Sequence, residues 1–134
     1  MKNILITGGA GFIGSNFLKI FIKKVNFNKI IILDNLTYSS NFDYIKNFIK
    51  QKKIRFIKGN ICNKKIVNTI FKIYKIDVVF NFAAETHVDN SIKNSNKFLK
   101  TNILGTHSLL KAVFNNRENL ESGFRFIQIS THEV

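Results

Sequence analysis

The chain predicts an α/β domain on a doubly wound parallel sheet, and three observations carry that prediction. Strand-like and helix-like patterns alternate from end to end. The strand-like runs are mostly continuously apolar rather than alternating, as in strands covered by helices on both faces. A glycine-rich turn joins the first strand pattern to the first helix pattern. Right-handed crossovers then wind the helices onto both sides of the sheet.

Each element has its own warrant. Residues 2–7 form a short apolar run closed by Gly8 and Gly9. Residues 12–25 place Ile13, Phe17, Leu18, Phe21, Ile22 and Val25 at helical spacing, which predicts an amphipathic helix. An Ile-rich second strand spans 29–34. A helix is expected over 41–52, presenting Ile45, Phe48 and Ile49, and a third strand over 54–58. Asn63 is a suitable N-cap for a helix carrying Ile66, Val67, Ile70, Phe71 and Tyr74. A fourth strand covers 77–82, and a loop runs from 83 to about 94. A helix over about 97–114 and a fifth strand over 124–130 complete the pattern. The chain ends at Val134, directly after strand five, so residues 1–134 are expected to be an incomplete domain of this class.

Composition narrows the function classes. With 134 residues, 45% hydrophobic and 22% charged, the chain has a one-domain length and a globular balance. No apolar run approaches the roughly 18 residues of a membrane span. The N-terminus enters a strand directly, without a secretory layout. The single Cys62 excludes a disulfide within the chain and suits a reducing compartment. A cytoplasmic location is therefore expected, with no membrane partner. The net charge of +13 raises the question of nucleic acid. Lysine, however, supplies 18 of the 21 basic residues, whereas base readout favours arginine. Lys, Asn, Ile and Phe share A/T-rich codons, so nucleotide bias alone produces this composition. Lys19, Lys23, Lys46, Lys50, Lys52, Lys64 and Lys72 are scattered over helix patterns, and no nucleic-acid partner is expected.

The strongest local signal is Thr7-Gly8-Gly9-Ala10-Gly11-Phe12-Ile13-Gly14. Its glycines let the backbone approach a diphosphate, and the helix start offers unpaired N–H groups and partial positive charge. Asp34 ends the second strand, 20 residues after Gly14, where a carboxylate accepts hydrogen bonds from ribose hydroxyls. Asn35 and Leu36 follow it, with no adjacent Arg for a 2′-phosphate, which favours NAD over NADP. Asn60 has two readings, an adenine-edge contact or an ordinary turn residue. Asn81-Phe82-Ala83-Ala84 ends the fourth strand with small residues that either admit a flat cofactor or simply pack. The run Glu85-Thr86-His87-Val88-Asp89 concentrates ionisable groups, but no second ligand cluster supports a metal there. His107 falls inside a helix pattern. Ser130-Thr131-His132-Glu133 places hydroxyl, imidazole and carboxylate side by side, a combination suited to proton transfer. Adjacent residues of an extended strand point to opposite faces, which argues against a nucleophile triad.

As a set, these residues resemble the N-terminal part of the dTDP-glucose 4,6-dehydratases, in the extended short-chain dehydrogenase/reductase family. The resemblance runs from Lys2 to Val134. It rests on the glycine-rich turn through Ser15, on Asp34-Asn35-Leu36-Thr37-Tyr38, and on Ala83-Ala84-Glu85-Thr86-His87-Val88-Asp89-Asn90-Ser91-Ile92. Thr101-Asn102-Ile103-Leu104-Gly105-Thr106, Phe124-Arg125-Phe126 and Ser130-Thr131-His132-Glu133-Val134 complete it. The Ala-Ala-Glu stretch and the fifth-strand ending favour the dehydratases over sugar-nucleotide epimerases.

The resemblance implies a Rossmann-type NAD-binding fold and a nucleotide-sugar substrate. Its reaction passes a hydride from glucose C4 to NAD, removes the C5 proton, expels water from C6 and returns the hydride to C6. Thr131 matches a substrate contact near O4, Glu133 the base at C5, and His132 the acid at the C6 oxygen. Gly8, Gly11, Gly14, Phe12, Ile13, Asp34, Asn35, Leu36, Thr37, Asn60, Ile61, Phe82, Ala83, Ala84, Glu85, Thr86 and Thr101 match cofactor contacts. Thr86 also approaches substrate. The family has Asp where His132 and Asn60 stand here. Its Tyr-x-x-x-Lys pair and sugar-binding lobe fall beyond residue 134, and its members are typically homodimers. The chain is thus expected to be the cofactor half of such an enzyme, inactive alone; the alternative is a non-catalytic gene remnant.

Overall fold

A computed structural model describes residues 1–86 and 95–130. Its sheet contains β1 (Lys2–Thr7), β2 (Phe27–Asp34), β3 (Ile54–Lys58), β4 (Val78–Asn81) and β5 (Arg125–Gln128). All four pairings are parallel, and the strand order is β3-β2-β1-β4-β5. β1 is central: Thr7 lies opposite Leu33 on one side and Asn81 on the other. The chain first builds outward through β2 and β3, then crosses back to place β4 on the free side of β1. That reversal opens a crevice at the carboxyl ends of β1 and β4.

The continuous apolar strands have a simple cause. Leu5, Ile31, Leu33 and Val79 face one core, and Ile4, Ile6, Ile30, Ile32 and Val78 face the other. The first core is closed by α3 (Lys64–Tyr74), through Val67, Ile70 and Phe71, and by α5 (Thr106–Asn115), through Leu109 and Ala112. The second is closed by Leu18 of α1 (Phe12–Lys24) and by Ile45. Phe17 extends it, with its ring 4.8 Å from Phe80 and 5.0 Å from Phe82. Asn63 caps α3 as expected, accepting from the Lys65 and Ile66 backbone N–H groups.

Two elements differ from expectation. The helix expected over 41–52 is broken into a 3-10 turn, Phe42–Tyr44, and one short helix, α2 (Lys46–Ile49). Ile45 is fully buried between them, whereas Phe48 and Ile49 only flank the core. The start of this segment is tied down locally. Asn41 N–H donates to Ala10 O at 2.9 Å, and the Asn41 side chain accepts from Asp43 N–H. Those bonds hold residue 41 against the glycine-rich turn and fix where the chain bends.

The helix expected over 97–114 is also not uniform. A short α4 (Ser95–Phe98) runs through a π-helical stretch, Leu99–Gly105, into α5. π-Helical turns that interrupt regular helices are frequent at functional sites, and Lys100, Thr101 and Asn102 of this one border the crevice. Among the described residues, no helix is long and apolar enough to cross a membrane.

Candidate functional site

The crevice begins with the turn after β1. Gly8 adopts φ +67°, and its N–H donates to Leu33 O at 2.9 Å. A Cβ there would lie 2.7 Å from the Phe82 carbonyl carbon and the Ala83 nitrogen. A Cβ on Gly14 would lie 2.3 Å from Gly8 O. Only glycine lets β1, β4 and the first turn of α1 approach this closely. The first turn of α1 has no side-chain cap and no acidic residue, so its partial positive charge is not offset locally.

Asp34 closes the crevice floor at the end of β2. It is 5% exposed. Its Oδ2 accepts from Ala10 N–H at 2.9 Å, and its Oδ1 accepts from Leu36 N–H at 2.8 Å and Ser40 Oγ at 2.9 Å. The carboxylate therefore links the glycine-rich turn to the loop after β2. A bridge between Gly11 and Ser40 joins the same two segments. Leu36 holds φ 52° while its side chain packs toward the second core.

β4 supplies the opposite wall. Fully buried Asn81 takes a hydrogen bond from Thr7 Oγ1 and donates through Nδ2 to Gln128 Oε1 at 2.7 Å. It thereby ties together the carboxyl ends of β1, β4 and β5. Beyond it, the Glu85 backbone is held at two points: its N–H donates to Asn102 Oδ1 at 2.8 Å, and its C=O accepts from Asn102 Nδ2 at 3.1 Å. Asn102 lies within the π-helical stretch. The Glu85 carboxylate, almost fully buried, pairs with Lys97 Nζ at 3.0 Å and accepts from Tyr38 OH at 3.3 Å.

Two cavities occupy this crevice. The smaller, about 270 Å³, reaches from Asp34, Asn35 and Thr37 past Asn60 and Ile61 to Lys97, Lys100 and Thr101. The larger, about 880 Å³, reaches from Phe12, Ile13 and Gly14 past Thr86 to Asn102 and Ser130. They share Gly8, Gly11, Ser39 and the run 82–85. Among the sequence-derived cofactor residues, Leu36 lines neither cavity. Asn60 uses its Oδ1 to accept from Cys62 N–H at 2.8 Å, a local turn bond, while still bordering the smaller cavity. Burial pushes the Cys62 thiol above its ordinary pKa, and nearby Lys100 partly opposes that shift. Thr131, His132 and Glu133 lie outside the described residues, as do His87, Val88 and Asp89.

Sequence reasoning assigned no role to Ser40, Lys97, Asn102 or Gln128. Asn102 sits in the conspicuous run 101–106, but its partner, the Glu85 backbone, is distant in sequence. Lys97 is one lysine among 18, and nothing in its sequence context distinguishes it.

This arrangement of glycine-rich turn, strand-end carboxylate and small-residue β4 ending coincides with a family match. The family model for GDP-mannose 4,6 dehydratase matches residues 5–134. The chain belongs to that family. Among relatives of this dehydratase family, the dTDP-D-glucose 4,6-dehydratase of Dictyostelium discoideum is 46% identical over 134 residues, which are all of this chain and 30% of the relative. A solved dTDP-glucose 4,6-dehydratase from Bacillus anthracis, in complex with NAD, superposes with a TM-score of 0.80 at 36% identity. That match covers 98% of this chain and 38% of the other. The UDP-Glc/GlcNAc 4-epimerase of Campylobacter jejuni is also similar, with a TM-score of 0.85 at 30% identity, over 98% of this chain and 38% of the epimerase. The chain spans between a quarter and a half of the length of each of these proteins. A dehydratase and an epimerase thus share this backbone, and the family model assigns the chain to the dehydratase family.

Proposed function

We propose that this chain is the NAD-binding portion of a nucleotide-sugar 4,6-dehydratase acting on dTDP-glucose, and that turnover requires the further length its relatives possess. One observation carries the reading: Gly8, whose close approach to β4 only glycine permits, lines the same cavity as the Asp34 carboxylate. A dinucleotide fits these residues. Backbone N–H groups of the turn and the first turn of α1 would take the diphosphate. Asp34 already accepts three hydrogen bonds, and a carboxylate has about four acceptor positions. One remains for a ribose hydroxyl. Asn35 and Thr37 continue that side of the site, Asn60 and Ile61 would border the base, and Phe12 and Ile13 lie toward the opposite end. Ala83, Ala84, Glu85, Thr86 and Thr101 complete the walls.

When bound, NAD supplies the acceptor and later the donor of the hydride. The chain's own residues then act on substrate protons. Thr86 and Thr131 would position the sugar, Glu133 would take the C5 proton, and His132 would protonate the departing C6 oxygen. These roles rest on the resemblance of the motifs to the dehydratases, in which position 132 is Asp. The Asp34 carboxylate would repel a 2′-phosphate, so the chain is expected to bind NAD more tightly than NADP. Calorimetric titration with both cofactors checks this; equal or reversed affinities remove Asp34 from the ribose role.

A further inference from the structure

We infer that Lys97 is a cofactor-binding determinant of this chain, acting by neutralising Glu85 at the waist of the crevice. The inference rests on the NAD reading above. Glu85 lines both cavities, together with Gly8 and Gly11 of the glycine-rich turn. A diphosphate bound at that turn would therefore lie on the same short stretch of crevice as the Glu85 carboxylate. The Glu85 side chain is only 6% exposed, so water screens it poorly. An unpaired carboxylate there would repel the ligand's two negative charges, and burial makes such repulsion large.

Lys97 removes that repulsion. Its Nζ lies 3.0 Å from Glu85 Oε1 and 4.9 Å from the centre of the Tyr38 ring. Tyr38 OH donates to the other carboxylate oxygen. The three side chains come from the loop after β2, the end of β4 and α4, and meet where the cavities join. The pair consequently adds no net negative charge beside the diphosphate site.

The test is NAD titration of the full chain, comparing wild type, Lys97→Met, Lys97→Arg and the double variant Lys97→Met/Glu85→Gln. Melting curves without cofactor establish that each is folded. Lys97→Met is expected to bind NAD about tenfold more weakly at low salt, because it leaves a buried charge uncompensated. Lys97→Arg should retain affinity. The double variant should recover most of the loss, since the repelling charge is gone as well. A purely structural role for Lys97 would instead lower the melting midpoint without cofactor in step with the loss of affinity. Unchanged affinity in Lys97→Met, or no recovery in the double variant, overturns the proposal and leaves the NAD reading standing. If wild type itself fails to bind NAD, both fall.

Discussion

Asp34 has a structural task before any cofactor arrives. Its two oxygens take three donors from three places in the chain, Ala10, Leu36 and Ser40. Asparagine would preserve the shape but replace one acceptor oxygen with an NH2 group facing an N–H donor. One buried donor then goes unpaired, which costs about 1–3 kcal/mol. Asp34→Asn should therefore lower the denaturant midpoint of the cofactor-free chain, with the slope unchanged. A loss seen only in NAD affinity would mean that the three protein bonds contribute little. The sequence made Asp34 legible through its spacing from the glycine-rich turn. It did not reveal the bond to Ser40, because side-chain donors in a loop carry no periodic signal. Lys97 was hidden for a related reason: a pair with Glu85 is set by where a helix and the loop after β4 converge, not by spacing.

At the scale of the element, helix ends and breaks separate what was readable from what was not. Asn63 was readable because a side-chain cap is a local event. The other end of α3 was not: Lys75 takes the left-handed conformation at φ 46° just after Tyr74, a position where glycine is the usual residue. Lys75 is exposed, so its side chain has little to lose by removal. Lys75→Gly is expected to stabilise the chain by about 1 kcal/mol, the relief of a left-handed residue carrying a Cβ. Thermal unfolding of the variant beside wild type checks this, and a lower midpoint would show that unfolded-state entropy outweighs the strain. The expected 41–52 helix failed for a different reason. Its apolar spacing was helical, but a hydrogen bond from Asn41 N–H to Ala10 O, distant in sequence, helps fix the bend. The π-helical stretch was equally invisible, since its visible consequence is the meeting of Asn102 with Glu85.

For the whole molecule, strand count, strand direction and the two-sided core were legible because burial on both faces leaves a continuous apolar run. The order of strands required the coordinates. What holds that order at the crevice is a buried polar junction centred on Asn81, which joins Thr7 of β1 to Gln128 of β5. Asn81→Leu would keep a similar volume but leave the Thr7 hydroxyl and the Gln128 amide without this partner. Thr7 is fully buried, so its loss costs about 1–3 kcal/mol, whereas exposed Gln128 can turn to water. Hydrogen exchange should show β5 opening more readily than β2 and β3 in this variant. Uniform loss of protection across all five strands would mean instead that Asn81 supports the fold globally.

The central position of β1 also governs the order of events during synthesis. β1 leaves the ribosome before the other four strands, yet one of its two edges is completed only when Val78 arrives opposite Ile4. Every pairing in the sheet is parallel, so none forms through a tight hairpin. At about 5–20 residues per second, the free edge of β1 waits several seconds for β4. During that time the chain presents an apolar strand run of Ile4, Leu5 and Ile6 with one side unpaired, the arrangement that invites pairing with another nascent chain. The same topology that opens a crevice beside β1 in the finished molecule thus leaves β1 with an unpaired apolar edge while the molecule is being made.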